Sequence, residues 1–307
     1  MTSSLMRAVG GALCSAALIS GVAAAQNGPG KTAGGGLIHI EYEAPKNPAH
    51  QEVLDAMRQR RALETIKELL SPLRLPVDLH IKTVGCDGVP NAWYERDSGI
   101  PTVRICYEYL QEIWDGLPKR ATPTGLTPHD ALIGQFLFAA LHESGHAVYD
   151  IFDVPIFGHQ EDAADNFAAY KMLHMFADQP HRLIQGAAYS YRGVIEAHKS
   201  NPQVTLPLKV FSSVHGTPEQ RYYNLLCMAY GYDAKEFAAV VDEHLLPESR
   251  AQDCPYEYHD MAYAFHKMIA PHIDMELTKK VLHTRWFADA DLPPPPPRRE
   301  AVPQDRK

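Results

Sequence analysis

Leu141-His142-Glu143-Ser144-Gly145-His146, and after a short gap Gln160-Glu161-Asp162-Ala163-Ala164-Asp165, are the stretches from which this chain is read. Upstream of the first, Thr127 can cap a helix and Pro128 suits its opening turn. Ala131, Leu132, Phe136, Phe138, Ala139 and Ala140 supply its apolar surface, so the pattern predicts a helix that carries the motif. On it His142 and His146 project from one face, with Cβ atoms about 5–6 Å apart. That lets two imidazole nitrogens reach one ion at about 2.0–2.1 Å. Glu143 lies one residue round from His142. It is badly placed to ligate the same ion and well placed to reach a water beside it.

Zinc that performs hydrolysis takes three protein ligands and keeps one position open. Pro155 and Gly158 break the first helix, and a second is expected to begin near Glu161. There Glu161 and Asp165 share a face. Glu161 is the expected third ligand. His159, in the turn after Gly158, and Asp162, about 100° round the helix, are rival donors. Asp165 is placed to accept a hydrogen bond from the free ring nitrogen of a ligating histidine, fixing its tautomer. A chance His-Glu-x-x-His in a histidine-rich chain is the bland reading. The apolar helix, the break and the acidic pair together favour a metal site. The longer three-histidine motif is absent, because Ala147 to Asp153 contains neither glycine nor histidine.

These motifs resemble those of the gluzincin metallopeptidases, the thermolysin-like enzymes. More closely, the chain is similar to a family of secreted bacterial metallopeptidases long known as a domain of unknown function. The likeness rests on Pro90-Asn91-Ala92-Trp93-Tyr94, Ile105-Cys106-Tyr107-Glu108, the two metal-site stretches, Gln220-Arg221-Tyr222-Tyr223-Asn224, Cys227 and Arg250 to Cys254. It implies an α+β, zincin-like fold: a small N-terminal mixed sheet with the active-site helix, then a mainly helical C-terminal half. It implies a peptide or protein substrate hydrolysed with Zn2+ on His142, His146 and Glu161 and with Glu143 as general base. It also implies that Asn91 and Ala92 sit on a sheet-edge strand and bind the substrate main chain, since an exposed edge offers unpaired N–H and C=O groups. A donor for the developing oxyanion is expected from the later helical half. His215, just before a predicted helix start, is the candidate, with Arg221, Tyr222 and Tyr223 behind it.

The remaining elements follow from period and punctuation. Strands are expected at Leu37–Tyr42, Val77–Lys82, Asn91–Tyr94 and Thr102–Tyr107, with a turn at Asp97-Ser98-Gly99. Helices are expected over His50–Leu70, from Gln111 to Gly116 or beyond, and from Glu161 towards Pro180, with His174 off the apolar stripe and on the surface. Tyr189 to Pro218 has no decisive pattern, and Val204–Phe211 reads as a loop or short strand. Thr217 and Pro218 start a helix that Gly231 is expected to stop. Two more amphipathic segments follow, at Asp233–His244 and Ala251–Ala270, the second interrupted near Pro255.

Residues 1–25 read as a signal peptide, with Ala23-Ala24-Ala25 before Gln26 as the cleavage site. Residues 26–36 are a glycine-rich flexible leader and 37–288 the metallopeptidase domain. Residues 289–307 form a proline-rich tail without the means to bury a core. The expected location is therefore periplasmic or secreted, with no stable membrane insertion after cleavage. Four cysteines besides Cys14 allow three pairings. Chain proximity favours Cys86–Cys106 and Cys227–Cys254, and an oxidising compartment suits both. The formal net charge of -8 argues against nucleic acid as a partner. Two other functions fit the residues: hydrolysis of a different amide or ester, such as a cell-wall peptide, and an exported protein that holds zinc without catalysis. The intact Glu143 favours an enzyme, because a structural site has no use for a base.

Overall fold

The computed structural model describes residues 35–122, 124–176, 180–201 and 208–284. The expected signal peptide, the leader as far as Gly34 and the proline-rich tail lie outside them.

Four strands form one sheet: β1 (Ile38–Tyr42), β2 (Leu79–Val84), β3 (Ala92–Asp97) and β4 (Ile100–Cys106), in the order β1-β2-β4-β3. β1, β2 and β4 run parallel, and β3 returns antiparallel to β4 through the tight turn at Ser98-Gly99, where both residues have positive φ. The inward residues of the central strands, Leu79, Ile81, Val103 and Ile105, are fully buried. Two helices, α1 (Gln51–Gln59) and α2 (Ala62–Leu70), connect β1 to β2 where one helix over His50–Leu70 was expected. The break is at Arg61, in the left-handed region with φ 51°. The Tyr42 hydroxyl accepts the Leu63 N–H just beyond it at 2.9 Å and donates to Glu64 at 2.8 Å. A strand side chain thus caps the start of α2, which turns Leu63, Ile66, Leu69 and Leu70 into the core.

After α3 (Tyr107–Gly116) comes α4 (Pro128–Ile151), the helix of the motif. It opens on a capping box: Thr127 Oγ1 accepts the Asp130 N–H, and the Asp130 carboxylate accepts the Thr127 N–H. Almost every residue from Ala131 to Val148 is buried, so α4 is enclosed around its whole circumference and runs through the middle of the protein. It packs between α5 (Gln160–Met175) and α6 (Pro180–Ser200). Glycines set both contacts. A Cβ on Gly145 would lie 3.2 Å from the Phe167 side chain in α5. A Cβ on Gly186 would lie 2.1 Å from the Asp130 carbonyl, and one on Gly134 2.5 Å from the Ala187 nitrogen, so α4 and α6 cross backbone to backbone.

The helical half continues with α7 (Leu208–Phe211), α8 (Pro218–Tyr232), the short α9 (Ala239–Asp242) and α10 (Glu248–Ala251), α11 (Cys254–Met268) and α12 (Met275–Leu282). The molecule is α+β, as expected, with α6 and the helical turn α7 in the stretch that showed no pattern. Pro255 lies in the opening turn of α11 instead of interrupting it. Gly231 does not stop α8. It lies inside it, where a Cβ would meet the Cys254 carbonyl at 2.2 Å, so this glycine serves a helix contact. His174 is not a surface residue. Its ring lies 4.1 Å from that of Tyr170, and its Nε2 is 2.7 Å from the Tyr258 hydroxyl. Both cysteine pairs expected from chain proximity are disulfides: Cys86–Cys106 ties the approach to β3 to the end of β4, and Cys227–Cys254 ties α8 to α11.

Candidate metal centre and cleft

His142 and His146 leave the same face of α4, and α5 brings Glu161 across to them. His142 Nε2 and His146 Nε2 are 3.3 Å apart, and Glu161 Oε2 lies 3.0 Å from the first and 3.2 Å from the second. All three side chains are mostly buried. His159 and Asp162, the rival donors, fall outside this convergent set.

On the far side of His142, Asp165 Oδ1 lies 2.7 Å from Nδ1. Arg221, one turn into α8, holds Asp165 with both arms of its fork: Nε to Oδ2 at 2.7 Å and Nη2 to Oδ1 at 2.6 Å. Its guanidinium stacks over Tyr191 at 5.2 Å and Phe138 at 6.0 Å. The paired carboxylate stays ionised: burial pushes Asp165 up, and the hydrogen bonds from His142 and Arg221 more than reverse this. An anionic Asp165 accepts the Nδ1 proton, so Nε2 of a neutral His142 presents its lone pair inward. Three acceptors then face one another within 3.3 Å. That arrangement needs a positive charge in its middle. The same need appears in the protonation of the bare side chains. Burial lowers the affinity of His142 for a proton, yet hydrogen bonds to Asp165 and Glu161 outweigh it and push the imidazole up to about 9. Glu161 is held down to about 2, chiefly by its hydrogen bond with His142. A donor set of two imidazoles and one carboxylate, with an oriented ring behind, suits a divalent transition ion.

Glu143 points to the cleft side. Burial pushes its carboxyl up to about 7, with repulsion from Glu161 adding to this and attraction from His142 opposing it. The backbone of Tyr94 in β3 lies beside the carboxylate and partly offsets this rise. β3 is the sheet edge, and its parity explains the contact. The Asn91 carbonyl accepts the Cys106 N–H at 3.0 Å and so faces β4. Ala92 and Tyr94, the alternate residues, turn their backbone groups outward. Of the two residues expected at the edge, Ala92 therefore offers its backbone N–H and C=O to the cleft, while the Asn91 carbonyl is committed within the sheet. β3 is fastened to α4 by hydrogen bonds from Tyr94 and Arg96 to Asp150, the latter at 2.7 Å. The loop before it is fixed by the Cys86–Cys106 disulfide and by Glu108, whose carboxylate accepts the N–H groups of Cys86 and Gly88 at 2.9 and 3.1 Å.

His215, from the loop before α8, is also brought to the centre. Its Nε2 is 2.9 Å from Glu161 Oε2, and its ring lies 5.9 Å from that of His142 at an angle of 23°. Burial lowers its proton affinity, and Glu161 works in the other direction. Arg221, named behind it as a donor, is committed to Asp165, and Tyr222 is buried away from the cleft. The cleft has a volume of about 480 Å³ and also takes in Tyr109 and Tyr191, which sequence reasoning did not single out.

The family described as "Putative metallopeptidase" matches residues 42–269. The chain belongs to that family. The matched span runs from the last residue of β1 to the end of α11, so it includes the whole metal centre, β3 and both disulfides. No curated protein and no solved structure matches the chain. Membership fits a metal-dependent peptidase, and the His142-His146-Glu161 cluster is where the described residues can hold the ion.

Proposed function

We propose that the protein is an exported zinc-dependent peptidase of the gluzincin type, with a zincin-like fold, that hydrolyses peptide bonds. One observation carries the reading: three acceptors converge within 3.3 Å, beside a carboxyl that is raised to about 7 and faces a sheet-edge strand. His142, His146 and Glu161 would hold the ion, and Asp165, braced by Arg221, would keep His142 in its ligating tautomer. Zinc held there would supply a bound water of pKa about 7 and a Lewis acid for the scissile carbonyl. Glu143 takes the proton of the attacking water and passes it to the leaving amine, which a carboxyl near neutrality does well in both directions. The Ala92 backbone pairs with the substrate main chain and sets its height over Glu143. His215 is the donor for the developing oxyanion, and its 42 % side-chain exposure leaves it open to the cleft. The two disulfides support an oxidising location, as does the expected signal peptide of residues 1–25.

Glu143→Gln tests the reading. The variant should fold and bind zinc as the parent does, while cleavage of a peptide library falls by about 10²–10⁴, the range for loss of a general base. Cleavage by the parent should stop with chelator and return with zinc. A Glu143→Gln protein that cleaves like the parent would remove Glu143 from the chemistry.

A further inference from the structure

Along α5 and α11, and reaching Asp165 of the metal centre, lies a second groove of about 520 Å³ whose other lining residues the peptidase reading does not use. Met228, Met261, Met268 and Phe265 form its apolar floor. Phe157, on the loop between α4 and α5, stands fully exposed at its edge. Asp162, Asp165, Glu257 and Asp260 line it as well, and among the described residues no lysine, arginine or histidine does. Glu257 is paired with Arg250 at 2.6 Å and Asp165 with Arg221 at 2.7 Å, which leaves Asp162 and Asp260 as the lining carboxylates without an arginine partner among the described residues. Aromatic and thioether surface bordered by carboxylates is the chemistry that takes an extended proline-rich segment ending in arginine.

This chain carries such a segment. Leu292 is followed by five prolines and then by Arg298 and Arg299. It is also within reach. Ile269 lines the groove, the chain continues through α12, and the described residues end at Thr284. α12 adds about 12 Å at 1.5 Å per residue. The residues from Arg285 to Leu292 can then span about 25 Å at 3.1 Å per residue. We propose that Leu292–Arg299 of the same chain seats in this groove, prolines against Phe157 and the methionines, arginines against Asp162 and Asp260. Asp162, Asp165 and Asn166 of α5 line the groove, so the seated segment braces the helix that carries Glu161.

A benzophenone amino acid placed at Pro295 of the full-length protein tests this. On irradiation at low protein concentration, peptide mapping should find the adduct on Met228, Met261 or Met268, in material of monomer mass. Phe157→Ser changes a fully exposed side chain, so folding is preserved, and it should lower the adduct yield. Asp260→Arg should lower the yield by roughly two- to fivefold, the range for an exposed ion pair. Adding Arg298→Glu to that variant should recover it. Adducts scattered over other surfaces, adducts confined to covalent dimers, no adduct at all, or a yield indifferent to the charge reversals would each overturn the proposal.

Discussion

Asp165 touches both His142 and Arg221, so its carboxylate decides which nitrogen of His142 is bare. Asp165→Asn should therefore weaken zinc binding by about 10–100-fold, the usual effect of removing the partner of a ligating histidine, as read by competition with a chromophoric chelator. An unchanged affinity would show that the tautomer is set elsewhere. Away from the metal, His174 packs with Tyr170, Tyr258 and Tyr232, with Lys171 and His266 nearby, and burial pulls its imidazole down to about 4. An unfolded histidine titrates near 6.5. Between these values the unfolded chain holds the proton and the folded chain does not. Stability should thus rise with pH over that window, be fully present above about 6.5, and be lost as pH falls towards 4. Urea unfolding of His174→Gln should show a shallower pH dependence across the window, by up to one proton. At this scale the metal ligands were legible, because i,i+4 spacing on a helix fixes which side chains share a face. Arg221 as the partner of Asp165 was not. That pair joins residues on α5 and α8, far apart in sequence, and no local periodicity encodes such a contact.

Each element owes its position to a few local devices. The Thr127 and Asp130 capping box starts α4, and Thr127→Ala should lower stability by about 1 kcal/mol in equilibrium unfolding. The α4–α6 crossing admits no side chain at Gly186, so Gly186→Val should cost about 1–3 kcal/mol or more through overpacking. A Gly186→Val protein of parental stability would contradict the backbone-to-backbone crossing. The strands, the turn at Ser98-Gly99 and α4 were readable because alternation, turn residues and caps are local signals. α6 carries its own signal: Leu183, Ile184, Ala187, Ala188 and Ile195 recur at helical spacing and are buried. Its polar remainder obscured that period. Gly231 misled for a physical reason. Glycine ends helices by adopting positive φ, but it also sits within them where another backbone comes close, and only the fold separates the two roles.

For the whole molecule, the Cys227–Cys254 disulfide closes a loop with a sequence separation of 27. Replacing both cysteines with serine should lower stability by about 3–4 kcal/mol on the loop-closure argument, measured by denaturant unfolding without reductant. The overall α+β division was legible in the order of patterns, strands first and helices after. The division of labour within it was not: a buried central helix supplies two acceptors, a second helix the third, and an edge strand lines the cleft beside the base. The proposed chemistry needs one ion between α4 and α5, which anomalous diffraction at the zinc edge from crystals of the zinc-supplied protein would locate. A single peak bounded by His142 Nε2, His146 Nε2 and the Glu161 carboxylate is expected. No peak there, with the three side chains hydrogen-bonded to one another and zinc absent or bound elsewhere, would contradict it.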